Sequence, residues 1–487
     1  MENLKQIPEK YIALGALLIW GGLFLTLGLV RFDAYGIDEG AARALILNWS
    51  VADNIINPIF VLGAPDFRAL LFAPIGIYWS GNMFAAKVFS VLITFFAAWL
   101  LYRWIKKLEN GEVAIVATVL FLISPVIVQQ VDSMGSGPYL LLAFALGAWL
   151  DSAYRKSPIY FGGWYFLQLV WIAVVVTIHP IGLAYPIALA YWWYSRPHED
   201  KQSRHIFVGI FIATVIAIAM TLGWHDLSWF NNPFTALSTN LQGGIIGSAE
   251  DINWVPGIIS AFILAILLYT ERTRLSQDFL GLMILISIVI GIFLADSVWA
   301  TFVFTMIIYS GTARLADLNQ DKVSFVGQRG AFVAIVFISL TFFMVQAKAH
   351  AIDNRLGILS PEDELLQTLS RIASDETKPF RAASEWPGRA MLATRRDVLP
   401  LPPAFESAEE LYEKAVSGVT HILFNPYAKD NAALAQRLAN MVGYTETSAL
   451  NRVGALITVT QHKVTLHRRL NEAVTPEENK ETETATQ

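Results

Sequence analysis

The chain has 487 residues, of which 55% are hydrophobic and only 15% are charged, and its mean hydropathy is +0.48. A soluble globular protein usually carries about 25% charged residues, so this composition indicates a protein whose solvent is largely lipid. The net charge of −5 argues against a nucleic-acid partner. The absence of cysteine excludes disulfides, thiolate nucleophiles and thiolate metal ligands.

Apolar runs long enough, or nearly so, to cross about 30 Å of hydrocarbon as helices follow one another along the chain. They are Tyr11–Val30, Met83–Tyr102, Val113–Val131, Tyr139–Ala153, Trp164–Ile178, Ile181–Tyr194, Ile206–Leu222, Ile258–Thr270, Phe279–Leu294, Val298–Gly311 and Ala331–Gln346. The first run is too long for a signal peptide and lacks a small-residue cleavage site, so we interpret it as a retained membrane helix. The sequence therefore predicts a polytopic α-helical membrane protein with about eleven transmembrane helices.

Lysine and arginine are concentrated before the first predicted span and in every second connection. Arg103, Lys106 and Lys107 follow the second span, and Arg155 and Lys156 follow the fourth. The alternate connections contain no lysine or arginine, apart from the long loop after the first span. The positive-inside rule therefore predicts a multi-pass protein of the cytoplasmic membrane, with a cytoplasmic N-terminus and an extracytoplasmic C-terminus.

Two of the predicted outer loops are long, residues 31–82 and residues 223–256. The first contains an amphipathic stretch from Asp38 and an apolar stretch, Leu70–Trp79, which are both predicted to lie in the membrane interface. The second mixes aromatic residues with asparagine and glycine and is longer than a connector needs to be, so we interpret it as a candidate mobile lid.

Residues after the last apolar run have the composition of an ordinary soluble protein, and helical and strand-like patterns alternate there. The predicted helices are Pro361–Ser374, Ser407–Val416 and Asn431–Met441, and the predicted strands are His421–Phe424 and Ala455–Thr460. We therefore divide the chain into a transmembrane domain of residues 1–346, an extracytoplasmic α/β domain of residues 347–474 and a disordered acidic tail of residues 475–487.

An acidic pair, Asp38-Glu39, stands in the sequence Gly36-Ile37-Asp38-Glu39-Gly40 just beyond the first span. In one interpretation Asp38 caps the helix that follows and Glu39 favours the dipole of that helix. In the other, one carboxylate lies in a cavity at the membrane surface and acts as a general base for an acceptor hydroxyl. The two interpretations are compatible, because a capped helix start is a rigid mount.

The acidic pair, the outer loop with interfacial stretches, the closely paired spans and the external C-terminal domain together resemble the GT-C-type glycosyltransferases. The chain is most similar to the dolichyl-phosphate-mannose–protein mannosyltransferase-like group, which includes bacterial lipid A aminoarabinose and lipopolysaccharide-core sugar transferases. The similarity is best from Asp38 to about Arg155 and looser as far as Gln346. Short segments of this chain stand where the group has its motifs: Ala64-Pro65-Asp66-Phe67-Arg68 for Pro-Pro-Leu-Tyr, Lys87-Val88-Phe89-Ser90 for an arginine ahead of a serine, and Ser124-Pro125 with the polar turn Asp132–Tyr139.

The resemblance implies a polyprenyl-phosphate-linked sugar as donor and a lipid, glycan or protein of the cell envelope as acceptor. It implies Asp38 as the general base, Glu39 as the group that orients or tunes it, and Asp132 as a second acid of the site. Transfer without a glycosyl-enzyme intermediate would invert the anomeric centre. For Asp132 the alternative is a solvated structural acid at the end of a span.

The resemblance also implies that cations hold the donor phosphate, and Lys87, Arg68 and Arg43 are the candidates. Lys87 stands in an apolar run, where a charge is costly, so it is the most diagnostic of the three. The alternative for Lys87 is that it extends to the interface. The alternative for Arg68 is a local ion pair with Asp66, which would contribute little to stability.

His179 interrupts two predicted spans together with Pro180. A histidine in a turn is more often a hydrogen-bonded structural residue than a metal ligand. A divalent metal would be expected only if Asp38, Asp132 and His179 converged. No other cofactor is predicted.

Two other functions compete with the transferase. A transporter or flippase of lipid-linked sugars would place ionisable groups near the middle of the bilayer, whereas here the centres of the spans are almost uncharged and the acids gather at one face. A non-enzymatic envelope assembly protein would use the C-terminal domain to bind a partner. The distribution of acids favours chemistry at the interface.

Overall fold

The computed structural model of the chain describes residues 9–53, 67–79, 82–157, 159, 161–195, 203–224, 265–266, 268–292, 298–318, 325–375, 377, 379–428, 431–441 and 445–459. The chain divides into two compact units. The helical unit comprises Met1–Asp33, Leu47–Trp49 and Gly63–Ile358, and the mixed unit comprises Ala34–Ile46, Ser50–Leu62 and Leu359–Gln487. The segment that carries Asp38 and Glu39 therefore belongs to the same unit as the C-terminal residues, whereas the sequence assigned it to a transmembrane domain of residues 1–346.

Helices account for most of the described chain up to residue 356. They are α1 (Glu9–Thr26), α2 (Glu39–Asp53), α3 (Arg68–Tyr78), α4 (Met83–Leu108), α5 (Gly111–Ile123), α6 (Pro125–Asp132), α7 (Ser136–Arg155), α8 (Gly163–Ile178), α9 (Ala184–Ser195), α10 (Ser203–Trp224), α11 (Phe279–Gly291), α12 (Val298–Leu318) and α13 (Phe325–Leu356). A 3₁₀ turn, Pro180–Leu183, joins α8 to α9. The predicted interface stretch Leu70–Trp79 lies in α3 and the residue after it.

Polar side chains set the starts of these helices. The side chains of Asn82 and Asn110 each accept a hydrogen bond from the backbone N–H three residues later, at 3.2 and 2.9 Å, before α4 and α5. Ser124 and Pro125 separate α5 from α6, and the two helices meet at a bend of 54°. Proline causes the break, because it has no N–H to continue the hydrogen bonding of α5.

Four helices within the described residues are long and apolar enough to cross a membrane, or up to five if the bent pair of α5 and α6 is one span. Helix α4, with 26 residues, is one of the four. Shorter apolar helices, including α8 and α11, accompany them. The helical architecture agrees with the sequence, while the number of eleven spans stays a prediction. Of the predicted span Ile258–Thr270, the structure describes residues 265–266 and 268–270. The long loop of residues 223–256 lies outside the described residues after residue 224.

The mixed unit contains a five-stranded sheet in the order β2-β1-β3-β5-β4. Its strands are β1 (Ala382–Ser384), β2 (Val398–Pro400), β3 (His421–Phe424), β4 (Thr445–Leu450) and β5 (Ala455–Val459), and its C-terminal helices are α14 (Pro361–Ala373), α15 (Pro387–Thr394), α16 (Ala408–Leu411) and α17 (Ala432–Ala439). Strand β1 is parallel to β2 and β3, and β5 is antiparallel to β3 and β4. Ile422 and Phe424 of β3 pack in a core with Leu411, Leu434 and Leu438 from the helices.

Strand β3 has the predicted bounds, and β5 begins at the predicted residue. The sequence did not predict β1, β2 and β4. The first two have only three residues each, and the third has the sequence TETSAL, which is mostly polar and exposed. The predicted helix Ser407–Val416 is one α-helical turn, α16, followed by a π-helical segment, Tyr412–Val416. The extracytoplasmic location of this unit stays a prediction, and the tail of residues 475–487 lies outside the described residues.

Candidate active site

Asp132, the last residue of α6, is the centre of a buried polar cluster in the helical unit. Its side chain is only 9% exposed. Oδ1 accepts a hydrogen bond from the backbone N–H of Arg31 at 2.7 Å and lies 3.3 Å from Nζ of Lys87. The Lys87 ammonium also donates to the backbone carbonyl of Asp132. A backbone N–H of the segment after α1 and a side chain of α4 therefore meet at the end of α6.

Helix α13 supplies the other side of this cluster. The Oδ2 atom of Asp132 lies 3.0 Å from Nε2 of His350 and accepts a hydrogen bond from Nδ2 of Asn354 at 3.1 Å. Asn354 also donates to the backbone carbonyl of Gly28, at 3.2 Å. We call Arg31, Lys87, Asp132, His350 and Asn354 the Asp132 cluster. Sequence reasoning missed His350 and Asn354, and the available signal was two polar residues four positions apart on one face of a long apolar helix.

Lys87 is completely buried, and its ammonium is directed to Asp132. The interpretation that this side chain extends to the membrane interface is therefore wrong. A buried lysine without a counter-charge would be strongly unfavourable, and Asp132 supplies the counter-charge. The predicted contact between Lys87 and a donor phosphate stays a prediction.

Arg68 begins α3 and is also buried. Its Nη1 donates to the carbonyl of Met134 at 3.4 Å, and the Ser90 hydroxyl donates to the carbonyl of Val131 at 3.2 Å. Lys87 donates to a third carbonyl, that of Asp132. Three side chains therefore bind three backbone carbonyls of residues 131–134, a segment that we call the Asp132 turn. Met134 has a φ of +58°, so the chain reverses sharply there. Asp66, the proposed ion-pair partner of Arg68, lies outside the described residues.

Asp38 lies in the mixed unit, immediately before α2. Its Oδ2 accepts a hydrogen bond from the backbone N–H of Ala41 at 3.1 Å. This is the geometry of a helix cap, which confirms the capping interpretation. The role of Asp38 as a general base stays a prediction.

Glu39 binds the start of a C-terminal helix. Its Oε1 accepts hydrogen bonds from the backbone N–H of Gly388 at 2.9 Å and from Nε of Arg43 at 2.8 Å, and its Oε2 accepts from the backbone N–H of Arg389 at 3.0 Å. Burial raises the pKa of the Glu39 carboxyl, and Arg43 and the two backbone donors oppose that rise. Arg43, a predicted phosphate ligand, is therefore an ion-pair partner of Glu39.

His179 holds the 3₁₀ turn between α8 and α9. Its Nδ1 accepts a hydrogen bond from the backbone N–H of Ile181 at 3.2 Å, which is the structural role predicted for a histidine in a turn. No group of three histidine, aspartate or glutamate side chains able to hold a metal ion occurs among the residues that the structure describes. We therefore assign no residues to a metal.

An apolar groove runs between α1, the junction of α5 and α6, and α13. It encloses about 420 Å³ and is lined by Trp20, Leu23, Phe24, Leu27, Leu29, Leu122, Ile123, Val128, Leu340, Met344, Ala347, Lys348, Ala351, Ile352 and Arg355. A second cavity of about 240 Å³ shares Trp20, Leu23, Leu122 and Ile123 with the first. The two cavities are therefore neighbours, and the only cations among their described lining residues are Lys348 and Arg355, both in the first.

Three solved structures are similar to this chain over most of its length. The apo form of ArnT from Cupriavidus metallidurans aligns with a TM-score of 0.51 at 12% identity, covering 92% of this chain and 98% of ArnT. ArnT from the same organism bound to undecaprenyl phosphate aligns with a TM-score of 0.50 at 14% identity, covering 93% of this chain and 98% of ArnT. The Archaeoglobus fulgidus oligosaccharyltransferase tethered to an acceptor peptide aligns with a TM-score of 0.54 at 13% identity, covering 91% of this chain and 74% of the oligosaccharyltransferase.

These similarities confirm the predicted resemblance to GT-C-type glycosyltransferases at the level of the fold. No protein-family model and no curated protein matches the sequence.

Proposed function

We propose that this chain, which has the fold of the GT-C-type glycosyltransferases, transfers a sugar from a polyprenyl-phosphate donor to an acceptor of the cell envelope. The reaction would take place at the outer face of the cytoplasmic membrane. The observation that carries the proposal is an apolar groove whose lining includes two cations, Lys348 and Arg355, in a fold whose neighbour ArnT has been solved bound to undecaprenyl phosphate.

The groove has the chemistry of a prenyl-phosphate site. Leu340, Met344, Ala347 and Ala351 follow one another at helical spacing on the face of α13 that lines it. A prenyl chain would pack its hydrocarbon against these side chains and against α1. Because the surrounding lipid is equally apolar, van der Waals contact and not removal from water would favour this position. Lys348 and Arg355 lie on the same face and would bind the phosphate.

The chemistry assigned to Asp38 is proton transfer. The Asp38 carboxylate accepts the proton of the acceptor hydroxyl while the hydroxyl oxygen forms a bond to the anomeric carbon of the donor sugar. The bond between that carbon and the phosphate oxygen breaks, and polyprenyl phosphate departs with the bonding electrons. Displacement in a single step inverts the anomeric centre.

The cations first predicted to hold the donor phosphate are already engaged by protein groups. Lys87 contacts Asp132, Arg68 contacts the carbonyl of Met134, and Arg43 contacts Glu39. A donor phosphate would have to replace these contacts. In this proposal Lys87 and Arg68 chiefly hold the Asp132 turn, and direct phosphate binding falls first to Lys348. Arg355 would add the guanidinium donors that its 2.9 Å contact with the carbonyl of Leu27 leaves over.

The test uses the full-length protein in lipid nanodiscs. Binding of undecaprenyl phosphate is measured by native mass spectrometry, and transfer is measured with a panel of undecaprenyl-phosphate hexoses and pentoses and with extracted envelope lipids and glycans as acceptors. Asp38→Asn should bind undecaprenyl phosphate as the wild type does and should lose transfer by about 10²- to 10⁴-fold, which is the usual contribution of a general base. Asp33→Asn is the matched control, because Asp33 is a carboxylate close to Asp38 in the sequence and forms an ion pair with Arg31.

Full transfer by Asp38→Asn would remove Asp38 from the role of base. Absence of transfer by the wild type with every donor would overturn the proposal that the protein is a transferase. Movement of intact donor across a vesicle membrane, without cleavage of the sugar–phosphate bond, would indicate the flippase.

A further inference from the structure

The start of α2, which carries Asp38, is fixed to the C-terminal part of the mixed unit by hydrogen bonds on both sides of Asp38. On the C-terminal side, Glu39 accepts hydrogen bonds from the backbone N–H groups of Gly388 and Arg389. These N–H groups belong to the first turn of α15, where they have no carbonyl partner within the helix. A carboxylate at this position therefore satisfies two donors and also matches the positive end of the helix dipole.

On the N-terminal side, Asp363 binds the backbone of Gly36. The Asp363 Oδ2 accepts from the N–H of Gly36 at 3.1 Å and from the hydroxyl of Ser360 at 2.8 Å. Asp363 is 2% exposed, so the residues packed around it restrict its side chain to this position. Gly36 has a φ of +69°, a conformation that glycine adopts easily and that lets the chain turn here.

Arg389 joins the two sides. Its Nη2 lies 3.0 Å from Oδ1 of Asp363 and its Nη1 lies 2.6 Å from Oε2 of Glu362, while its own backbone N–H binds Glu39. Burial alone would lower the pKa of the Arg389 guanidinium, and the carboxylates of Asp363 and Glu362 raise it, so the arginine stays charged. Asp363, Arg389 and Glu39 therefore form one connected set of contacts.

Gly388 brings α15 into direct backbone contact with α2. A Cβ atom placed on Gly388 would lie 2.8 Å from Cγ of Arg43, 2.9 Å from the backbone nitrogen of Arg43 and 3.0 Å from Oε1 of Glu39. One of these atoms belongs to the backbone and cannot move aside without moving α2. The contact therefore depends on the absence of a side chain at residue 388.

We propose that the C-terminal α/β domain positions Asp38, through Glu39, Asp363 and the start of α15. The proposal rests on the proposed function, in which Asp38 is the base. Ile37 is buried and lies between the two contacts, so the chain from Gly36 to Glu39 is held at both ends and in the middle. Glu39, Asp363 and Gly388 act through Asp38 and are positioning residues.

The discriminating variant is Gly388→Ala, with Gly418→Ala as its control. Gly418 lies in the same domain, and a Cβ there would make only an ordinary contact of 3.5 Å with Arg381. Gly388→Ala should lower kcat for transfer by roughly 10- to 100-fold, because a displacement of about 1 Å is enough to cost that much. Its affinity for undecaprenyl phosphate and its KM for the donor should stay at the wild-type values, as should every property of Gly418→Ala.

Two further readouts do not depend on catalysis. The chain contains no cysteine, so Asp38→Cys creates a single thiol whose labelling rate with a membrane-impermeant maleimide reports the surroundings of residue 38. Adding Gly388→Ala should change that rate and should speed hydrogen–deuterium exchange across residues 36–46 in the full-length protein, whereas adding Gly418→Ala should do neither. Glu39→Gln, which keeps one strong acceptor, should retain more transfer than Glu39→Ala.

Labelling and exchange that are the same in Gly388→Ala and Gly418→Ala would overturn the proposal. Altered labelling with wild-type kcat would also overturn it, because the contact would then be structural only. A wild-type protein without transfer would overturn the proposed function and the catalytic role together. The labelling comparison would show separately, in that case, whether the domain fixes residue 38.

Discussion

Lys87 and Asp132 form a buried ion pair in which the lysine binds the aspartate twice, at its carboxylate and at its backbone carbonyl. The lysine is wholly buried in α4, and the aspartate ends α6, 45 positions later. This pair joins the two helices at the same place where Arg31, His350 and Asn354 also reach the carboxylate. Removing either charge would leave the other buried without its partner.

Lys87→Met should therefore destabilise the helical unit by about 3–5 kcal/mol, and Asp132→Asn by a similar amount. The double variant should cost less than the sum of the two, because it leaves no unpaired charge. Thermal unfolding in detergent micelles, arranged as a double-mutant cycle, measures this coupling. The control is Lys107→Met, at the other end of α4, where the lysine is 76% exposed, its ion pair with Asp278 is 3.4 Å long and the expected loss is below about 1 kcal/mol. Additive effects of the two buried substitutions would contradict the assignment.

Lys348→Ala and Arg355→Ala should each weaken binding of undecaprenyl phosphate, by roughly tenfold, because each removes one of the two cations that line the groove. Binding of undecaprenol, which has the same chain and no phosphate, should be unaffected by either change. Native mass spectrometry of the nanodisc protein with both ligands measures the difference. Equal losses for the two ligands would mean that these side chains only shape the groove, and equal displacement of undecaprenyl phosphate by phosphatidylglycerol would indicate an ordinary lipid contact.

Gly36→Ala should destabilise the start of α2 by about 1–2 kcal/mol, because an L-residue with a side chain disfavours a φ of +69°. Apart from the two neighbouring residues, no heavy atom in the described part of the chain lies within 4 Å of the position that a Cβ would occupy at Gly36, so the cost is conformational and not steric. Gly36→Asn should cost less, since asparagine tolerates this region of φ better. Hydrogen exchange of residues 36–46 measures the effect, and equal exchange in the alanine and asparagine variants would argue against backbone strain as the cause.

Acidification should loosen β3 of the C-terminal sheet. Burial lowers the pKa of His421, which is 8% exposed and stacks on Phe380. Because the folded state binds this proton less readily than the unfolded state, the stability contribution is complete above the unfolded pKa of about 6.5 and is lost as the pH falls below it. After correction for the intrinsic pH dependence of amide exchange, the protection of residues 421–424 in the full chain should therefore decrease between pH 7.5 and pH 5.5.

His421→Gln should reduce this pH dependence, and His205→Gln, in α10, controls for the loss of a histidine elsewhere. Wild-type exchange that has the same profile as His421→Gln over this range would rule out His421 as the source.

Local features of this fold could be predicted from sequence, and long-range ones could not. The cap formed by Asp38 and the strand His421–Phe424 follow from residues that are neighbours in the chain. The contact of Glu39 with Gly388 spans 349 positions, and its donor is a backbone N–H that has no sequence signature. Asp132 and His350 are 218 positions apart, and only the packing of α13 brings them together. A polar residue in an apolar helix therefore indicated that a polar cluster would form around it. The sequence did not show which distant residues would belong to that cluster.

The Asp132 turn is held in place through its backbone carbonyls. Ser90, Lys87 and Arg68 bind the carbonyls of three of its residues, and a carbonyl is present whatever side chain the residue bears. A change of side chain at Val131 or Met134 therefore leaves the bound carbonyl in place, and its cost comes from the packing of these buried residues and from the positive φ of Met134. A change at any of the three distant donors removes a contact that shapes the turn. An alanine scan limited to this loop would thus miss the residues that build it.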